Sequence, residues 1–268
     1  MPVTSSAPTP VVFIHGLWMH ATSWTPWVDL FNAKGYAAAA PGWPGDSDTV
    51  EATRANRDAL NNVGIAEVTS HYAALIKALP SAPIVIGHSF GGLIAEQLLG
   101  MGVTRGCVAL SPAQFKGILA LPPAQLAAAF PILSKPWLRT KTWSHTADSY
   151  AKSFANGVSR AESDEIFARY TIPAPCRPLF QASVANFAPH SPASVNSKAT
   201  RGPLLLLGGS KDRTVPAATV KAAYKIQQKN PGVTELEILD GRAHSFPADS
   251  GWQEAADKAL AFLARNGL

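Results

Sequence analysis

The pentapeptide Gly87-His88-Ser89-Phe90-Gly91 sits between the apolar run Ile84-Val85-Ile86 and the helix-like run Gly92 to Leu99. A serine at the tip of a strand-to-helix turn, with glycine on both flanks, reads as a nucleophile elbow, G-x-S-x-G. Such a turn needs a strained backbone and close approach of the chains on either side, which glycine permits. It also points the next helix N-terminus at any negative charge that develops beside the serine.

A serine hydroxyl is a weak nucleophile, so a histidine base and an acid to orient it are expected later, in the order Ser, Asp, His. The buried-strand run Leu204 to Leu207 is followed by Gly208-Gly209-Ser210-Lys211-Asp212, which puts Asp212 in a strand-end loop. The next strand-like stretch, Leu236 to Leu239, leads into a loop that carries His244. After Cys107-Val108-Ala109-Leu110 comes Ser111-Pro112-Ala113-Gln114, without a carboxylate, so Asp212 stands alone as the acid. An oxyanion hole needs backbone N–H donors. Val11 to Ile14 ends in His15-Gly16-Leu17-Trp18, and the amides of Leu17 and Phe90 are the expected donors. His15 is read as a loop-packing residue. Loops at the carboxyl ends of parallel strands bring these positions to one edge of the sheet.

The chain resembles the α/β-hydrolase superfamily in both halves: in the elbow, in the Ser, Asp, His order, and in His15 to Trp24 with Pro41-Gly42-Trp43-Pro44-Gly45-Asp46-Ser47 after the second strand. The His-Gly-Leu-Trp run followed by Ser23-Trp24 is similar to the small esterase, hydroxynitrile-lyase and cofactor-free haloperoxidase branches. The resemblance implies an α/β fold: a mostly parallel sheet of about six strands flanked by helices, with a helical cap inserted in the second half. The strands expected are Val11 to Ile14, Ala37 to Ala40, Ile84 to Ile86, Cys107 to Leu110, Leu204 to Leu207 and Leu236 to Leu239. The usual opening hairpin is not expected, since only Met1 to Pro10 precede the first of them. A serine nucleophile excludes the displacement chemistry of epoxide hydrolases and haloalkane dehalogenases, which attack with aspartate.

Between Ala113 and Pro192 the alternation of strands and helices stops, and Pro, Ala and aromatic residues accumulate. Helices are expected around Ala124 to Phe130, Ala147 to Phe154 and Ser163 to Tyr170. The expected organisation is a core of residues 1–112 and 201–268 with a cap of residues 113–200. Trp18, His88, Phe130, Trp137 and Trp143 are expected to line the substrate pocket, with Phe154, Phe187 and Trp43 as further candidates.

The expected activity is hydrolysis of a small to medium hydrophobic carboxylic ester through an acyl-enzyme on Ser89. The same residues leave open lactone or C–C bond hydrolysis, peroxyacid formation, and a non-catalytic small-molecule binder on the same fold. The net charge of +5 resides mostly in the stretch from Ala113 to Pro192, with eight Lys/Arg against four Asp/Glu spread singly. That distribution reads as a solvated surface and matches no nucleic-acid module. Cys107 and Cys176 are expected as buried thiols, and His71, His145 and His190 are too isolated to hold a metal. No cofactor is expected. No leader pattern or membrane-spanning run is seen, so the expectation is a cytoplasmic monomer or homodimer with neither nucleic-acid nor membrane partners.

Overall fold

The computed structural model describes residues 7–268; Met1 to Ser6, part of the short segment before the first strand, lie outside the described residues. Eight strands follow in chain order: β1 (Pro10–Ile14), β2 (Ala37–Ala39), β3 (Ile84–His88), β4 (Gly106–Leu110), β5 (Thr142–Trp143), β6 (Ala174–Pro175), β7 (Leu204–Gly209) and β8 (Thr234–Leu239). Six of them form one sheet in the order β2-β1-β3-β4-β7-β8. Every neighbouring pair in it is parallel.

Side chains alternate across a strand, and β1, β3, β4 and β7 are buried on both faces, so they read as mainly apolar runs. The edge strands β2 and β8 are partly exposed. Val12, Ile14, Val85, Ala109, Leu204 and Leu206 pack on one face, against Val68, Tyr72, Leu93 and Leu98 of the helices Ile65–Lys77 and Phe90–Gly100. Val11, Phe13, Ile84, Ile86, Val108 and Leu205 pack on the other, against Trp27 and Phe31 of helix Thr25–Ala33 and Phe262 of helix Trp252–Arg265. Helix Phe90–Gly100 is buried throughout, which its apolar, stripe-free sequence requires. The chain winds outward from β1 to β2, then returns to β3 and proceeds the other way. The loops after β1 and β3 therefore flank the switch point, where sites form on open α/β sheets.

Between β4 and β7 the chain leaves the sheet. The three expected helices are present, as Pro123–Leu133, Ala147–Ser153 and Arg160–Tyr170. A fourth, Arg177–Ser183, follows the Pro-rich stretch, and β5 and β6 form an antiparallel ribbon of their own. This insert has two halves. Ala147–Ser153 packs on Arg160–Tyr170, whereas Pro123–Leu133, the 3-10 turn Pro136–Thr140 and Arg177–Ser183 pack on one another. The first half is stitched to the loop after β1 by His20 N–H to Tyr170 O (2.9 Å) and Ile172 N–H to Trp18 O (3.0 Å). Cys107 and Cys176 are buried free thiols.

Candidate active site

Ser89 occupies the turn between β3 and helix Phe90–Gly100 with φ 56° and ψ −122°. A non-glycine residue held there carries strain of order 1–3 kcal/mol. Backbone bonds from Ser89 N–H to Leu110 O and from Ala113 N–H to Ser89 O, each 2.9 Å, fix it. The flanking glycines are sterically required: a Cβ on Gly87 would collide with the carbonyl of Gly91, and one on Gly91 with the carbonyl of Ile14. Trp18 (φ 66°) and Ser111 (φ 41°) are strained in the same sense, at the ends of β1 and β4. Strain is thus concentrated along the edge of the sheet that carries Ser89.

Asp212 and His244 meet on that edge, both buried, with His244 Nδ1 2.7 Å from Asp212 Oδ2. The carboxylate is saturated. Oδ2 also accepts from the Ser111 hydroxyl at 2.8 Å, while Oδ1 accepts the amides of Thr214 (2.8 Å) and Val215 (2.7 Å). With its acceptors filled, Asp212 engages the imidazole through Nδ1 and leaves Nε2 as the ring nitrogen open to another partner. That Nε2 is buried without a hydrogen-bond partner.

The loop His15 to Trp18 lies directly against Ser89. A Cβ on Gly16 would stand 2.7 Å from Ser89 Cβ and 2.9 Å from His88 O. The Leu17 and Phe90 amides make no hydrogen bond to another protein group among the described residues, so both donors are free. His15 pins this loop: its ring stacks on Trp43, Nε2 lies 2.9 Å from Asp46 Oδ2, and the Trp43 indole donates to His15 O at 3.0 Å.

A cavity of about 190 Å³ opens above Ser89, between the core and the insert. Its wall is mainly apolar, from Trp18, Phe90, Leu121, Leu126, Leu133 and Leu179. Gln114, Gln125, His145 and Thr214, with Ser89, Ser153 and Ser183, supply its polar side chains. His145 is wedged edge-on between Trp18 and Trp143, with both ring centroids 4.6 Å away, and its Nδ1 lies 2.9 Å from Ser149 Oγ. Burial drives its pKa down to about 3, with a smaller contribution from His244. It is therefore neutral near pH 7.

Of the five side chains expected to line the pocket, Trp18 does so. Trp143 stands behind Trp18 and offers its carbonyl to the Trp18 indole at 3.2 Å. His88 faces the opposite way and lies beneath His244, ring centroids 4.4 Å apart. Burial, reinforced by His244, holds its pKa well below the usual histidine range. Phe130 and Trp137 are each 69% exposed and form no part of the wall, because the helix that carries Phe130 presents Ala129, Leu133 and, at the rim, Leu126 to the cavity instead. Phe187 is exposed as well, whereas Phe154 is buried against His244 at 4.6 Å. Two residues beyond those expected enter the site. Ser111 follows a sheet strand, as the expected site residues do, and that position is the one signal for it in the sequence. His145 carried no sequence signal, since only folding brings it onto Trp18.

A model of the alpha/beta hydrolase family matches residues 11–258. No curated protein matches the chain at a significant level. Among solved structures, an extracellular alpha/beta-hydrolase from a Paenibacillus species, described as sharing structural and functional homology with tobacco salicylic acid binding protein 2, superposes with a TM-score of 0.67 at 20% identity, covering 95% of this chain and 98% of that one. A monoacylglycerol lipase from Paleococcus ferrophilus gives 0.65 at 20% identity, covering 97% and 96%. A methylesterase from Arabidopsis gives 0.63 at 16% identity, covering 95% and 100%. With the family model spanning the sheet, the elbow and both later loops, the chain belongs to the alpha/beta hydrolase family.

Proposed function

We propose that the protein is a serine hydrolase of carboxylic esters with Ser89 as nucleophile, His244 as general base and acid, and Asp212 as its orienting carboxylate. The observation that carries this reading is the buried Asp212–His244 pair, its Nε2 unbonded, on the same sheet edge as a strained serine that floors an apolar cavity. Ser89 Oγ makes no hydrogen bond among the described residues; catalytic hydrogen bonds of this kind tighten when substrate binds. Ser89 Oγ bonds to the ester carbonyl carbon as its proton passes to His244 Nε2. The oxyanion is received by the amides of Leu17 and Phe90. His244 returns the proton to the departing alkoxide, which leaves as alcohol. Water then gives a proton to His244 and attacks the acyl-enzyme, releasing the acid and restoring Ser89.

The insert, residues 113–200, acts as the cap that sets substrate size. An engineered apolar cavity of about 150 Å³ takes up benzene, so one of about 190 Å³ suits a ring-sized or short branched group. A p-nitrophenyl ester series from acetate to decanoate tests this. The expected kcat/KM peaks at butyrate to hexanoate and falls toward decanoate. Turnover confined to lactones or diketones would move the reading to those alternatives on the same triad, and no turnover of any of these would favour a binding protein.

A further inference from the structure

Seven of the ten large hydrophobic side chains that stand exposed among the described residues belong to one half of the insert. Phe130 lies on helix Pro123–Leu133, Trp137 on the 3-10 turn beside it, and Val184 at the end of helix Arg177–Ser183, three elements in mutual contact. Leu119 and Phe187, 79% and 88% exposed, join them through Asn186, whose side chain bonds both Gly117 N–H (2.7 Å) and Ile118 O (2.8 Å). Leu121 and Leu126 complete the patch, and both also line the cavity above Ser89. An apolar surface of this kind on a chain in water marks an interaction site.

The charge around it is mostly basic; the carboxylate of Glu67, on a core helix, meets Arg177 at 2.6 Å at the start of helix Arg177–Ser183. No carboxylate occurs from Gln97 to Ala147 or from Ile166 to Lys211. Lys135, Arg139 and Lys141 flank Trp137 along the turn Pro136–Thr140, Lys116 reaches the segment after Phe187, and none of the four is in an ion pair among the described residues. Lys116 Nζ bonds the carbonyls of Ala188 (2.7 Å) and Pro189 (3.0 Å), next to Phe187. All four carboxylates of the insert lie on its other half, where Arg160 holds Asp148 at 2.7 Å and Asp164 at 2.8 Å. Scattered singly along the sequence, these bases read as a solvated surface; folding gathers them around an aromatic and leucine-rich face. A second copy of the same face would bring the unpaired cations against one another, so self-association is disfavoured.

We propose that this face, formed by Pro123–Leu133, Pro136–Thr140 and the end of Arg177–Ser183, docks on an anionic lipid surface. Trp137 and Phe130 enter the headgroup boundary, and the lysines and Arg139 meet lipid phosphates. The docking stands apart from ester hydrolysis. If the hydrolase reading also holds, Leu121 and Leu126 give an apolar ester a continuous path from lipid to Ser89.

The test is co-sedimentation of the Ser89→Ala protein, so that catalysis does not enter, with vesicles of phosphatidylcholine or of phosphatidylcholine mixed with phosphatidylglycerol. Wild-type surface residues should bind the mixed vesicles more than tenfold better than the neutral ones, and salt should weaken the binding. Lys135→Glu should lower the affinity at least about fivefold, the effect of one basic charge near an anionic surface. Phe130→Ser with Trp137→Ser should abolish it, with unchanged circular dichroism and melting temperature because both rings are exposed. Binding that survives these changes, equal binding to neutral vesicles, or no binding would overturn the proposal. So would a concentration-dependent dimer, seen without vesicles and lost with Phe130→Ser.

Discussion

Gly16→Ala tests the oxyanion loop by the smallest possible insertion. The added Cβ would stand 2.7 Å from Ser89 Cβ, where ordinary contact begins at 3.4 Å. Because Ser89 is held by backbone bonds on both sides, the loop must retreat by about 0.7 Å. That displacement exceeds the roughly 0.5 Å within which a catalytic group stays productive. A donor placed at about 2.9 Å then falls near 3.6 Å, where no hydrogen bond remains. On the proposed assignment, the Leu17 amide is then lost as an oxyanion donor while Phe90 stays. Loss of one such donor costs about 10²–10³ in kcat, or about 2.7–4 kcal/mol of transition-state stabilisation. The assay is kcat and KM on p-nitrophenyl butyrate, together with the rate of inactivation by a phosphonate, whose oxyanion uses the same donors. Both rates should drop by the same factor while KM changes little. A folded Gly16→Ala protein with more than a third of the parental kcat would refute this placement of the oxyanion hole.

Asp212→Asn should leave the fold intact and lower kcat about 10⁴-fold through the wrong imidazole tautomer, read by ester turnover beside circular dichroism. Ser111→Ala removes one buried hydrogen bond to the Asp212 carboxylate and should cost about 1.5–3 kcal/mol of stability in urea unfolding. Glu96, buried on the helix after Ser89 and bonded by Gln227 at 2.9 Å, has its pKa raised to about 8 by burial. Between its unfolded value, near 4.5, and about 8 the folded state holds the extra proton, so this contribution is complete below the lower value and is lost as pH rises through the upper one. Wild-type stability should therefore fall from pH 5 to pH 8 by an amount that Glu96→Gln removes; identical slopes in the two proteins would contradict that assignment.

The central strands were legible because they are buried on both faces: Val11 to Ile14, Ile84 to Ile86 and Leu204 to Leu207 are apolar without interruption, and a chemically loaded loop follows each. The meeting of Asp212 with His244 follows from the same logic, since loops after adjacent parallel strands emerge at one edge. The pocket wall was not legible. Helix Pro123–Leu133 reads Pro-Ala-Gln-Leu-Ala-Ala-Ala-Phe-Pro-Ile-Leu, apolar on nearly all sides, so no periodic stripe says that Leu126 and Leu133 reach the cavity while Phe130 does not. Ser111 escaped because a hydroxyl has too many structural uses to stand out as a carboxylate's partner. His145 escaped because its setting depends on Trp18, far away in sequence.

The central claim is that Ser89 is an activated nucleophile, and intact-mass measurement after treatment with a serine-directed phosphonate tests it most directly. A single covalent adduct is expected on the wild-type protein, with loss of p-nitrophenyl ester turnover in step with labelling and no adduct on Ser89→Ala. An unmodified wild-type protein, or an adduct that persists in Ser89→Ala, would contradict it.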